Sequence, residues 1–192
     1  MAAHWSSEMV TLFTAVVYYR ADDGELNHQS YVVVSDELSH DKARVYAFNK
    51  AILERVKEVT PVRVVHYWSD GAGSQFKNRY NLSSLLYHEE DFNCKATRSF
   101  FETAHGKGPV DGVGGEVKRA VWRSILQNNT VVTNPEEFVQ AAQKLCKKVK
   151  IVHVPKPVIQ EERGNCKNNR TDVRQSLKPT LSTLLQGPVL PL

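Results

Sequence analysis

Residues 62–80 read VRVVHYWSDGAGSQFKNRY, and this stretch decides the fold. Its first seven residues are β-branched or aromatic with few interruptions, the composition of a strand packed against a core. Ser69, Asp70 and Gly71 end that strand. The spacing of Phe76, Tyr80, Leu82, Leu85 and Leu86 then predicts a helix over 74–87. A strand that closes on a carboxylate and a glycine before a helix is the unit of an open α/β sheet. Such sheets hold their ligands at the carboxyl ends of the strands. Asp70 is therefore a candidate ligand for a divalent cation that prefers oxygen donors, in the manner of Mg²⁺. Taken alone, it reads first as the cap of the following helix; the second motif below tips the reading toward a ligand. Gln75, Lys77, Asn78 and Arg79 fall on the same rim, within reach of phosphates.

Working outward, residues 9–19 (MVTLFTAVVYY) and 30–35 (SYVVVS) read as two strands joined by a polar link. That link contains Asp23-Gly24, a hairpin turn signal. A helix is expected over 41–59, where Val45, Phe48, Ile52, Val56 and Val59 keep helical spacing and Thr60-Pro61 stops it. Asp36, just before it, reads as a helix cap. Downstream, 96–103 predicts a further strand, 112–126 a helix, 135–148 another helix opened by Pro135, and 149–154 a short strand. The alternation predicts an α/β fold, a mixed sheet or two halves of one, flanked by helices.

The second polar motif is HGKGPVDGVGGEVKR, residues 105–119. Five glycines in its first eleven residues let backbone approach a partner closely, and a helix start favours anions. Asp111 and Glu116 stand at or near that helix start. Either could join Asp70 on a metal, and both also complement the helix dipole. His105 fits a ligand, an acid or base, or a turn residue. Lys107, Lys118 and Arg119 are solvated charges, or contacts to a nucleic-acid backbone. Neither standard phosphate-loop spacing fits the stretch.

Composition narrows the class. The 192 residues carry 25 Lys+Arg against 21 Asp+Glu, with 41% apolar and 24% charged residues, enough for a real core. No apolar run reaches the length of a membrane span, so no membrane partner is expected. Three scattered cysteines without a CxxC pair argue for a reducing, intracellular compartment and against a disulfide or zinc scaffold. Five of the eight prolines lie beyond residue 154. The expected organisation is one domain over 1–155, then a Pro-rich, mostly disordered tail over 156–192.

Four segments carry a resemblance: AHWSSEMVTLFTAV (3–16), YVVVSDELSHDK (31–42), SDGAGSQFKNRY (69–80) and HGKGPVDGVGGEVKRAVW (105–122). Together they are similar to a family of transposon-derived animal proteins with a ribonuclease-H-like transposase core of the DDE/DDD type. The resemblance implies a ribonuclease-H-like mixed sheet in which three acidic residues bind two Mg²⁺ or Mn²⁺ ions for DNA cleavage and strand transfer. It implies Asp70 as the second acidic residue and Asp111 as the third, with Glu116 as the alternative. It implies DNA as partner and the nucleus as location. The first acidic residue belongs on a central strand just upstream of AHW in similar proteins. The chain is therefore expected to be an N-terminally truncated copy that lacks this strand, impaired in cleavage. Two strand edges would face a gap, open to a strand-donating partner or a second copy. The alternative reading is a non-catalytic nucleic-acid or protein interaction module on the same scaffold.

Overall fold

The expected hairpin is formed by β1 (Thr11–Arg20) and β2 (Leu26–Ser35), antiparallel in register from Thr11 opposite Ser35 to Arg20 opposite Leu26. This computed structural model describes residues 9–21, 23–39, 41–72, 76–101, 108–127 and 130–169. The turn works because Gly24 takes φ 83°, where a side chain is strained, while its N–H donates to the Ala21 carbonyl. The second strand begins four residues earlier than the apolar pattern predicts. Its first residues are exposed and held by ladder pairing with β1 rather than by burial.

Helix α1 (Lys42–Lys57) follows, capped by the Asp41 carboxylate, which accepts the Arg44 N–H at 3.0 Å. Asp36 does not cap this helix, as the sequence suggests. It accepts the N–H of Lys156 at 2.7 Å and so anchors the start of the last helix, α6 (Lys156–Asn169).

Next come β3 (Val64–Ser69), two short helices α2 (Arg79–Ser83) and α3 (His88–Phe92), and β4 (Lys95–Phe100). The single helix expected over 74–87 is replaced by these short pieces. The Ser84 hydroxyl donates to the Asn81 carbonyl at 2.8 Å, an alternative to continuing the helical ladder. Asn93, at φ 48°, then ends α3 in the left-handed region.

The chain closes with α4 (Pro109–Leu126), α5 (Pro135–Leu145), β5 (Val149–His153) and α6. The fourth helix starts three residues earlier than predicted, with Pro109 in its first turn, so much of the Gly-rich stretch is helical. The closeness those glycines permit is spent inside the molecule. A Cβ on Gly114 would lie 3.0 Å from Thr14 Cγ2, so the helix crosses β1 tightly at that point.

Strand order is β1-β2-β5 in one sheet and β3-β4 in a second, both β2-β5 and β3-β4 being parallel. The fold is thus mixed α/β, with one sheet of three strands and a second of two. Because β2 is central to its sheet and covered on both faces, its upper half, YVVVS, is a continuous buried run. On one face Val32 and Val34 join Val117, Val121, Val139 and Ala142 from α4 and α5. On the other, Tyr31 and Val33 meet Phe48, Ile52 and Val56 of α1 and Ile159 of α6.

That last contact corrects the expected tail. Residues 156–169 are helical and docked on α1, so order extends beyond residue 155. Ile159 is 0% exposed, Lys50 Nζ reaches Glu162 at 2.7 Å, and Arg163 reaches Asp41 at 2.6 Å. A single buried isoleucine with three ion pairs, the third from Arg163 to Glu37, gives no apolar period, which is why the sequence pattern does not show it. The remainder of the expected tail lies outside the described residues.

Candidate nucleic-acid interface

The parallel β3-β4 pair ends in register, Ser69 opposite Phe100, so both strands release their chains at one edge. Asp70 stands there, exposed. Its carboxylate accepts the N–H of Ala72 at 3.4 Å in a local turn, and it does not cap α2, which begins at Arg79 behind Asn78. Lys77 is brought to the same edge, its ammonium 5.8 Å from the centre of the Phe100 ring.

Alternation along β3 turns Tyr67 inward and Trp68 outward. Trp68 is 59% exposed and lies 5.5 Å, centre to centre, from the ring of Phe101, itself 44% exposed. The Phe101 N–H donates to the Ser69 carbonyl at 2.9 Å, carrying the ladder one residue past β4 and fixing the ring beside Trp68. A tryptophan in a strand reads first as core packing, which hides the pair in the sequence. The signal was present in the strict alternation of VVHYWS, which places Val64, His66 and Trp68 on one face.

Asp111 lies exposed in the first turn of α4, where a carboxylate complements the free N–H groups of the helix start. That helix packs on β1, where Gly114 meets Thr14. Glu116 is turned away, about 140° around the helix from Asp111. Its charge acts on the Cys146 thiol at the end of α5, whose pKa is raised by burial first and by Glu116 second. Lys118 is exposed, and so is Arg119, which folds back along the helix over Gly115. Asn78 accepts the Asn81 N–H at 3.0 Å and thereby starts α2. Gln75, His105 and Lys107 lie outside the described residues.

The structure therefore gathers Asp70, Lys77, Trp68 and Phe101 at one sheet end, whereas Asp111 is carried by α4, which packs on β1. Glu116 and Asn78 are committed elsewhere. A two-metal centre needs several anionic oxygens converging on one place. Among the described residues, no group of three or more His, Cys, Asp or Glu side chains is arranged to hold an ion. The described residues by themselves do not fit a complete Mg²⁺ or Mn²⁺ centre. Nor, among them, is any helix long and apolar enough to cross a membrane.

What fold and site define is a mixed α/β domain with two sheets and an aromatic, cationic and acidic strand end. The chain belongs to the family described as Domain of unknown function (DUF8701), whose model matches residues 1–182. No curated protein and no solved structure matches it.

Proposed function

We propose that the chain is a transposon-derived, ribonuclease-H-like domain that engages DNA at the carboxyl end of β3 and β4. The observation that carries this reading is the exposed Trp68–Phe101 pair beside Lys77 and Asp70. Aromatic faces stack on unpaired bases, and a neighbouring ammonium holds the backbone. In the parent class this sheet end carries metal-dependent cleavage and strand transfer. Here Asp70 and Asp111 supply two carboxylates, and the role left to the domain is binding, exercised in the nucleus.

Fluorescence anisotropy with a labelled single-stranded oligonucleotide and its duplex tests the reading. Binding should weaken as salt rises. Trp68→Ala should raise Kd by roughly 5- to 150-fold, since one stacking side chain is worth about 1–3 kcal/mol. Because the ring is mostly exposed, the variant should unfold at the wild-type urea concentration. Unchanged affinity in Trp68→Ala, or no binding at low salt, would contradict the proposal.

One further observation favours the interaction-module reading. Among the described residues β1 pairs only with β2, and β3 only with β4, so each leaves an edge open. Open edges accept strands. A strand-donating partner, a second copy being the simplest, would close the sheet. Light scattering should then show a molar mass that rises with concentration; a constant monomer mass removes self-association.

A further inference from the structure

Parallel register sets Val64, His66 and Trp68 of β3 beside Lys95, Thr97 and Ser99 of β4. His66 Nδ1 and the Thr97 hydroxyl lie 2.8 Å apart, which puts the two rows on one face of the sheet. Tyr67 turns the other way, its hydroxyl bonded to His88 of α3 at 3.0 Å. On the outer face Val64, His66, Trp68, Lys95 and Thr97 are all exposed. The Trp68 and Phe101 rings are inclined by 35° and both stay open to solvent. Charge on this face has one sign. Neither strand contains an Asp or Glu. Lys95 stands at the amino end of β4, and Arg63, also exposed, directly precedes β3 at that end, its carbonyl accepting the Lys95 N–H at 3.0 Å. The Asp70 carboxylate lies past the opposite end, just after Ser69. Aromatic faces that run into cations are the surface on which unpaired nucleic-acid strands are held.

We propose that this outer face binds single-stranded DNA in preference to duplex, with unpaired bases on Trp68 and Phe101 and the backbone running along the strands to Lys95 and Arg63. The proposal rests on the DNA-binding reading and names the form of DNA and its path. A base presents its flat face to a protein only when it has left the duplex stack. Sheet surfaces that display aromatic rings take about two or three such bases. The path from Trp68 back to Val64 is about 13 Å at the rise of a strand, which gives the backbone a track beyond the rings. Asp70 sets its direction, because a carboxylate repels phosphate and turns the strand toward Lys95. Reading a duplex through its major groove needs free donors and acceptors aimed at base edges. The polar pair at the centre of this face, His66 and Thr97, is bonded together instead. The face therefore takes bases by stacking and tolerates sequence.

The test is fluorescence anisotropy of the full chain with a labelled oligothymidine, an oligoadenine of the same length and the duplex of the two, over a salt series with EDTA present. Both single strands should bind, and the duplex should bind about 5- to 150-fold more weakly, the worth of one stacked base. Lys95→Gln should reduce the slope of log Kd against log salt by about 0.7, the share of one phosphate contact on a single strand. Asp70→Asn should tighten binding by about 1.5- to 5-fold, as removal of one exposed like charge does. Because both side chains are exposed, the two variants should keep the wild-type urea midpoint. Equal or tighter binding of the duplex would overturn this proposal while leaving the DNA-binding reading in place. So would an unchanged salt slope in Lys95→Gln, or weaker binding in Asp70→Asn. Failure of all three probes to bind at low salt would overturn both. A molar mass that doubles in the wild type but not in Trp68→Ala would give the face to a second copy and overturn the proposal.

Discussion

His88 shows how one side chain can tie a local subdomain to pH. It is 4% exposed and sits between two partners. Its Nδ1–H donates to the Cys94 carbonyl at 2.7 Å, and its Nε2 accepts from the Tyr67 hydroxyl at 3.0 Å. Burial lowers its pKa, and the charges of Lys57 and Arg98 push the same way against the Cys94 bond and Asp91. The folded state therefore holds the neutral ring, whereas the unfolded chain takes up a proton near the ordinary value of 6.5. The contribution to stability is thus fully present above pH 6.5 and is lost as pH falls through the lower folded value. Urea midpoints should decline between pH 7 and 5, and the decline should flatten in His88→Gln. An unchanged slope in the variant would assign the effect elsewhere. Glu37 acts in a separate, more acidic window. Burial raises its pKa, but bonds from Ser39 and the charges of Arg163 and Lys156 outweigh this and lower it. Its share is present above pH 4.5 and lost as pH falls through the lowered value.

At the scale of the element, the crossing of α4 on β1 separates two glycines that look alike in sequence. Gly112 has nothing within 4 Å of an added Cβ, whereas Gly114 faces Thr14 Cγ2 at 3.0 Å. Both sit in a helix, where glycine costs about 1 kcal/mol relative to alanine. Gly112→Ala should therefore stabilise the chain by about 0.5–1 kcal/mol. Gly114→Ala should lose that gain, because the γ-carbon of a threonine on a packed strand cannot swing aside freely. Equal gains in the two variants would show that the crossing is loose. The same comparison shows what the sequence could carry. Glycine density announced a close approach but not its partner, which is an internal strand. The hairpin, the long helix with Phe48 at 0% exposure and the β3 strand all declared themselves through burial periodicity. Elements held by polar contacts did not: α6 rests on Ile159 and ion pairs, and the α2–α3 region is broken by a serine bond. At the candidate site, Asp70 and Lys77 were legible from the strand-end motif. The aromatic pair was not, because tryptophan is read first as core.

At the scale of the molecule, the different covering of the two sheets determines what the candidate site can do. The β1-β2-β5 sheet is covered on both faces by helices, whereas the β3-β4 sheet turns Tyr67 and Arg98 inward and leaves Val64 and Trp68 outward. The exposed face and its carboxyl edge are therefore where a large ligand has access. The most direct measurement is a backbone ¹⁵N NMR titration of the full chain with a short single-stranded oligonucleotide. The account predicts that shifts concentrate at 68–72, 76–78 and 100–101, and leave α1 and α6 unmoved. Shifts centred on the α1–α6 face, or none at saturating oligonucleotide in low salt, would contradict it.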